Sequence, residues 1–199
     1  MKKPELKGTE RRYFDSTISI EKRDGTDKGR HVEGYAFKFN SLSKDLGGFQ
    51  ERIAPGALDG VDLSDVVALF NHDKNLILAR TSSKTLTLTP DKEGLFYGFD
   101  SPETSAGNDL LVSIDRGDVA GSSFAFCVED DTWEQVGDVI IRTINKFERV
   151  VDVSPVVFPA YDAADVAKRS LEAWKEEGKK PAAKKHLEIT RTKLEMYRK

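Results

Sequence analysis

The chain has 199 residues, 38% of them hydrophobic and 33% charged, with a formal net charge of −3. No apolar run approaches the roughly 20 residues needed to span a bilayer, and the basic opening MKKPELKGTERRYF has no apolar stretch behind it, so neither a membrane span nor a secretory signal is expected. The single cysteine, Cys127, is incompatible with an internal disulfide or a multi-cysteine metal site and fits a reducing compartment.

Residues 1–12 are charged, include a proline and show no periodicity, which predicts a loose arm. From Tyr13 the pattern alternates, with Phe14, Ser16, Ile18 and Ile20 on one side, as in a half-buried strand. The turn-rich RDGTDKG at 23–29 leads into a second strand at 31–40, so the two should pair antiparallel. SLSKDLGGF at 41–49 is a loop, and Pro55 and Gly56 open a short stretch with room for one helical turn. DVVALFNHD at 65–73 contains a buried strand, followed by short strands at 76–80, 85–89 and 94–100.

The period changes at 105–117, where Leu110, Leu111 and Ile114 share a helix face and Gly117 supplies the stop. Strand character returns at 122–129, then in a hairpin turning at Gly137 and Asp138, then in VVDVSPVVF at 150–158. Pro155 suggests that this last strand is an edge or is bulged. Beyond Pro159, Ala163, Val166, Ala167, Leu171 and Trp174 follow a helical period, GKKPAAKK at 178–185 is a break or linker, and the final LEITRTKLEMYRK could add a short helix, with a thin apolar stripe. Residues 168–199 carry eleven basic and five acidic residues. A basic tail thus follows an acidic body, the layout of a tethered domain or of a lysine-rich solvated helix. The expected class is mainly β (α+β), a small barrel or sandwich with one internal helix and a helical C-terminal tail.

Few residues suit chemistry. Of the three histidines, His31 and His186 suit solvated positions, whereas His72 closes an apolar strand, where a rigid scaffold hands a side chain to a cleft. In GSSFAFCVED at 121–130, alternation puts Ser123, Ala125 and Cys127 on one face, with Ser122, Phe124, Phe126 and Val128 on the other. If the aromatic face is core, Ser123 leads a face of small residues with room for a histidine ring. Small residues also simply fill crowded sheets. Ser122 is a weaker nucleophile candidate, and Cys127 offers a thiol alternative, although free cysteine more often packs as a small hydrophobe. Asp152 is a carboxylate inside an apolar strand and needs a partner there. Glu148 could equally orient a histidine, whereas alternation points Asp73 away from His72. There is no GxSxG elbow, Walker A loop, GxGxxG or HExxH. No cofactor or metal is expected, and in the acidic body aromatic residues do not interleave with basic ones, so nucleic-acid binding could come only from the tail.

Four strings occur together in order: VEGYAFKFNSLSKDLGGFQERIAPGAL at 32–58, NHD at 71–73, GSSFAF at 121–126 and VDVSPVVFPAYDAADV at 151–166. Together they resemble the prohead maturation serine proteases of tailed bacteriophages, over roughly residues 13–166. The resemblance implies a herpesvirus-protease-like β-barrel surrounded by helices. It divides the chain into an arm at 1–12, a protease domain at 13–166 and a basic tail at 167–199. It implies a catalytic triad of His72 in the HD dipeptide, Ser123 in the S-F-G-F-like pattern and Asp152 before the V-S of the last strand. The chain departs from the family pattern in having Ala125 where glycine is commoner and Asp152 where glutamate is commoner. The implied activity is an endopeptidase that removes scaffold or capsid-protein segments, and also cleaves itself, inside a prohead assembled in the host cytoplasm. The implied partner is the major capsid protein with its scaffold segment. The herpesvirus relatives act as dimers, so self-association is an expectation too. Two other classes stay open: a non-catalytic assembly module of the same fold, and a cysteine hydrolase using Cys127 and His72.

Overall fold

The computed structural model describes residues 8–14, 18–21, 29–157 and 169–176. The chain divides into two compact units, Met1–Ala163 and Ala164–Lys199. The first contains β1 (Glu10–Phe14), β2 (Ser19–Glu21), β3 (His31–Lys38), β4 (Gln50–Ile53), β5 (Val67–Leu69), β6 (Ile77–Arg80), β7 (Leu86–Pro90), β8 (Gly94–Asp100), α1 (Ser105–Asp115), β9 (Gly121–Val136) and β10 (Val139–Val156). The second is helical over 169–176. The remainder of the expected helical tail, including Ala163, Val166, Ala167 and everything from 177, lies outside the described residues. No described helix is long and apolar enough to cross a membrane.

The strands form two sheets. One runs β1-β9-β10-β5-β6, with β4 also pairing β10, and the other runs β2-β3-β8-β7. Apolar faces of the two sheets meet: the Phe37 ring of β3 packs on Phe124 of β9 and Phe147 of β10, at centroid distances of 4.7 and 5.4 Å. Val32, Leu95, Tyr97, Phe99, Phe126, Val150 and Val153 are buried in the same core. Because side chains alternate along a strand, the core takes Phe124 and Phe126 and leaves Ser123 and Ala125 on the opposite face of the larger sheet. The helix α1 begins at Thr104, whose hydroxyl accepts the Gly107 N–H, and it buries Leu110.

The barrel expected from the family resemblance is not formed among the described residues. Both sheets are open, ending at β1 and β6 and at β2 and β7. The physical reason lies in β10. With 18 residues it outruns its partners, taking β4 in parallel along Ile141–Ile144 and β5 in parallel at Asp152 and Val153, so the strands spread along it rather than wrap back. The sheet-plus-helix character of the expectation stands.

Two further local differences are informative. Residues 10–12 are strand rather than loose arm, and the single early strand expected from Tyr13 is two strands in different sheets. Here β1 pairs β9, and β2 pairs β3 through Ile20 and Val32. Burial of charge explains the first. Arg12 binds Glu51 through Nε (2.7 Å) and Nη2 (2.9 Å) and also binds Glu10. Arg142 reaches Glu10 (2.7 Å) and Glu51 (2.9 Å). These four side chains are all at most 6% exposed, and hydropathy patterning gives no hint of buried charge. The second difference concerns Pro155. Of the two expectations for its strand, the bulge is met and the edge is not: Pro155 sits on a bulged, central strand. Its carbonyl accepts from Asn71 N–H on the side where β5 has ended. A residue's N–H and C=O point the same way in a strand, so proline's missing donor takes nothing from the ladder to β9. The β9–β10 ladder also drifts. Val139 opposes Val136 near the turn, but shifts between Ile144 and Asp152 leave Ser154 opposite Ser123 and Asp152 opposite Ala125.

Candidate active site

Three chain segments meet on the face of the larger sheet that turns away from the sheet–sheet core. The first is β9. Its alternation presents Ser123, while Ser122 points the other way and donates a hydrogen bond to the buried Tyr97 hydroxyl (3.1 Å). Burial pushes the Tyr97 phenol pKa up, so that hydroxyl stays neutral, and Ser122 is committed to the inner face. The second is β10, whose pairing places Ser154 opposite Ser123 and Asp152 one pair further along, opposite Ala125.

The third segment is the loop between β5 and β6, which carries His72. Asn71 and His72 have φ of 53° and 58°, consecutive residues in the left-handed region. Asparagine and histidine enter that region more readily than most residues, but two in succession hold only where neighbours enforce it. Asn71 supplies the enforcement. Its N–H donates to Pro155 O (3.0 Å), and its Oδ1 accepts from Val157 N–H (3.0 Å), tying the loop to the end of β10. Phe70 N–H to Leu76 O and Asp73 N–H to Phe70 O, both 3.0 Å, close the loop on itself. The imidazole is thereby delivered over the Ser123 and Asp152 face.

His72 Nε2 lies 2.6 Å from Ser123 Oγ, and His72 Nδ1 lies 2.6 Å from Asp152 Oδ1. The His72 and Asp152 side chains are each 7% exposed, and Ser123 is fully buried. An ionised carboxylate only accepts hydrogen bonds. Asp152 therefore holds the proton on Nδ1 and leaves the Nε2 lone pair facing the serine hydroxyl. This is the tautomer a general base needs. Ser123 Oγ has a second neighbour, the Arg12 carbonyl of β1 at 2.9 Å. A hydroxyl has one proton, so Arg12 O and His72 Nε2 compete for it.

The other sequence candidates are engaged elsewhere. Cys127 is buried on the Ser123 face, near Thr9 Oγ1, but it lies four residues along the strand, roughly 13 Å at the usual rise. A histidine holding Ser123 does not reach it. Glu148 is exposed and equally far from Asp152 along β10. Asp73 is exposed and caps its own turn, accepting from Asn75 N–H at 2.8 Å. His31 pairs Asp100 (2.8 Å) on the other sheet. His186 lies outside the described residues.

Sequence reasoning missed three contributors: Ser154, the Asn71 tie and the Arg12 carbonyl. Asp152 and Ser154 are two apart in a strand and so share a face, which was visible in VDVS. The Asn71 side chain and a backbone carbonyl from a distant strand carry no local signal.

A buried imidazole bridging a hydroxyl and a carboxylate can activate the hydroxyl for attack on a carbonyl and hand the proton to a leaving group. The comparisons with known proteins agree with that chemistry. No curated protein and no solved structure matches the chain. Residues 16–177 match the caudovirus prohead serine proteases, enzymes that act on capsid and scaffold proteins during phage maturation. That match covers most of the 199 residues, and the chain accordingly belongs to the caudovirus prohead serine protease family and is a serine protease of prohead maturation.

Proposed function

We propose that Ser123 is the nucleophile of this protease, His72 its general base and acid, and Asp152 the group that orients and charge-stabilises the histidine. The observation that carries the reading is the single imidazole hydrogen-bonded at 2.6 Å on both sides. In the proposed cycle, Ser123 turns its proton from Arg12 O to His72 Nε2 and attacks a peptide carbonyl. The imidazolium, held against Asp152, protonates the departing amine. Water then attacks the acyl-enzyme with His72 again as base, and Ser123 is regenerated. The proposed substrates are the scaffold segment of the major capsid protein and the protease itself, cut inside the prohead. The basic stretch at 167–199 is the segment whose charge suits tethering to an acidic partner surface.

The test is co-expression of wild type, Ser123→Ala and Cys127→Ala, each with and without the capsid protein, read by intact mass. Fragments in wild type and Cys127→Ala that vanish in Ser123→Ala are the expected result. Fragments that persist in Ser123→Ala overturn the assignment of the nucleophile, and fragments lost only in Cys127→Ala transfer it to the thiol. No fragments in any of the three would argue against the proposed substrates.

A further inference from the structure

The Ser154 hydroxyl stands between the proposed acid and base and has no part in the triad itself. It is fully buried, and it donates to Asp152 Oδ1 at 2.9 Å. With its proton committed there, its oxygen lies 3.2 Å from His72 Nδ1 and presents a lone pair to that N–H. The Nδ1 proton therefore sits between two acceptors, Asp152 Oδ1 and Ser154 Oγ. Oδ1 in turn receives two donors, which fixes the rotation of the carboxylate.

Shape alone does not account for this hydroxyl. Ser154 directly opposes Ser123 across the β9–β10 ladder, a position where alanine would fill nearly the same space. A buried hydroxyl without partners costs stability, and this one is satisfied wholly by the two groups that prepare the nucleophile. We propose that Ser154 is a positioning residue of the protease: it locks the Asp152 carboxylate and the Nδ1–H tautomer of His72, so that Nε2 stays aimed at Ser123.

The inference rests on the triad reading above, and the experiment separates the two. A fluorophosphonate reagent phosphonylates an activated serine without any need for the natural substrate. Its labelling rate is followed against pH for wild type, Ser154→Ala, Ser154→Thr and Ser123→Ala, alongside the NMR signal of the His72 Nδ1 proton. Ser154→Ala should label about tenfold or more slowly, the scale of loss when a reacting group is slightly misplaced. Its pH midpoint should move and its Nδ1 signal should shift or broaden. Ser154→Thr, which keeps the hydroxyl, should recover most of the rate. A correctly folded Ser154→Ala with wild-type rate, midpoint and proton signal overturns the positioning role while leaving the triad intact. Wild type that does not label, or Ser123→Ala that still labels, overturns the triad reading and this inference with it. If Ser154→Ala does not fold, Ser154→Cys, similar in shape with a weak donor, carries the test, and wild-type labelling of that variant overturns the role.

Discussion

The division of labour at the site depends on which oxygen each histidine nitrogen faces. Asp152→Asn keeps the shape of the side chain but turns an acceptor into a group that can donate, so the imidazole is free to take the other tautomer and present N–H to Ser123. The variant should fold with wild-type stability and lose roughly 10³–10⁴-fold in turnover, measured as cleavage of the capsid precursor. Near-normal turnover would mean that Asp152 does not hold the tautomer. In the sequence, residue type only marked candidates for this proposed site, and the family resemblance assigned them their roles. His72 stood out because it ends an apolar strand, and Ser123 because its strand neighbours are small on one face and aromatic on the other. Asp152 and Glu148 were indistinguishable by type. Only the β10 ladder separates them, since it puts one on the histidine's face and leaves the other exposed four residues away.

At the level of elements, β1 is held on the edge of β9 by charge as well as by its ladder. Arg142 is the hub of that attachment. It contacts Glu10 and Glu51, binds Asp131 through Nε at 2.6 Å, and lies over the Trp133 ring at 5.5 Å. Replacing a buried, fully bonded charge by an apolar side chain strands its partners. Arg142→Met leaves Glu10 and Glu51 to share Arg12 and should cost about 3–5 kcal/mol, read by urea unfolding at neutral pH. Adding Glu10→Gln to Arg142→Met should recover part of the loss, because the two residues are in direct contact. An undiminished unfolding midpoint in Arg142→Met would show that the cluster contributes no net stability. The same cluster explains where element prediction failed. Period-two alternation marks a strand when polar residues face water, and in β1 and β4 the polar residues Glu10, Arg12 and Glu51 face inward. By contrast, α1, the hairpin turn at Gly137 and the strands at 31–38 and 94–100 were legible, because their apolar spacing and turn residues agree with their burial.

For the whole molecule, the buried cluster makes stability a function of pH. Burial works to raise the Glu10 pKa, but the hydrogen bond from Arg142 and the charges of Arg12 and Arg142 outweigh it. The folded value lies below the ordinary one of 4.5. The unfolded chain therefore takes up the proton first on acidification. The contribution of Glu10 to stability is complete above about pH 4.5 and is lost as pH falls through the folded value. Denaturant unfolding should show stability declining below that pH, with a shallower decline in Glu10→Gln, although that variant starts lower at neutral pH. Equal slopes in the two proteins would place the acid sensitivity in other carboxylates. Fold class was legible at this scale as many short strands around one apolar core, whereas sheet closure was not. Whether a sheet closes depends on which edges find partners, and the length of β10, split in the sequence by Pro155 and several polar residues, was hidden from any local pattern.

The drift in the β9–β10 ladder sets a distance. Counted from the turn with unbroken pairing, Asp152 would stand directly across from Ser123. Directly opposed side chains have Cβ atoms roughly 5 Å apart, whereas diagonal neighbours are about 7–8 Å apart. A ring bonded at 2.6 Å on both sides fits the diagonal and is too wide for the direct gap. The two extra residues that β10 takes up between Ile144 and Asp152 therefore act as a spacer gauged to an imidazole. They also insulate the site from the rest of the hairpin. The turn end can lengthen or shorten by matched pairs without altering the gap, but a single residue lost from the spacer inverts every side chain on one side of it.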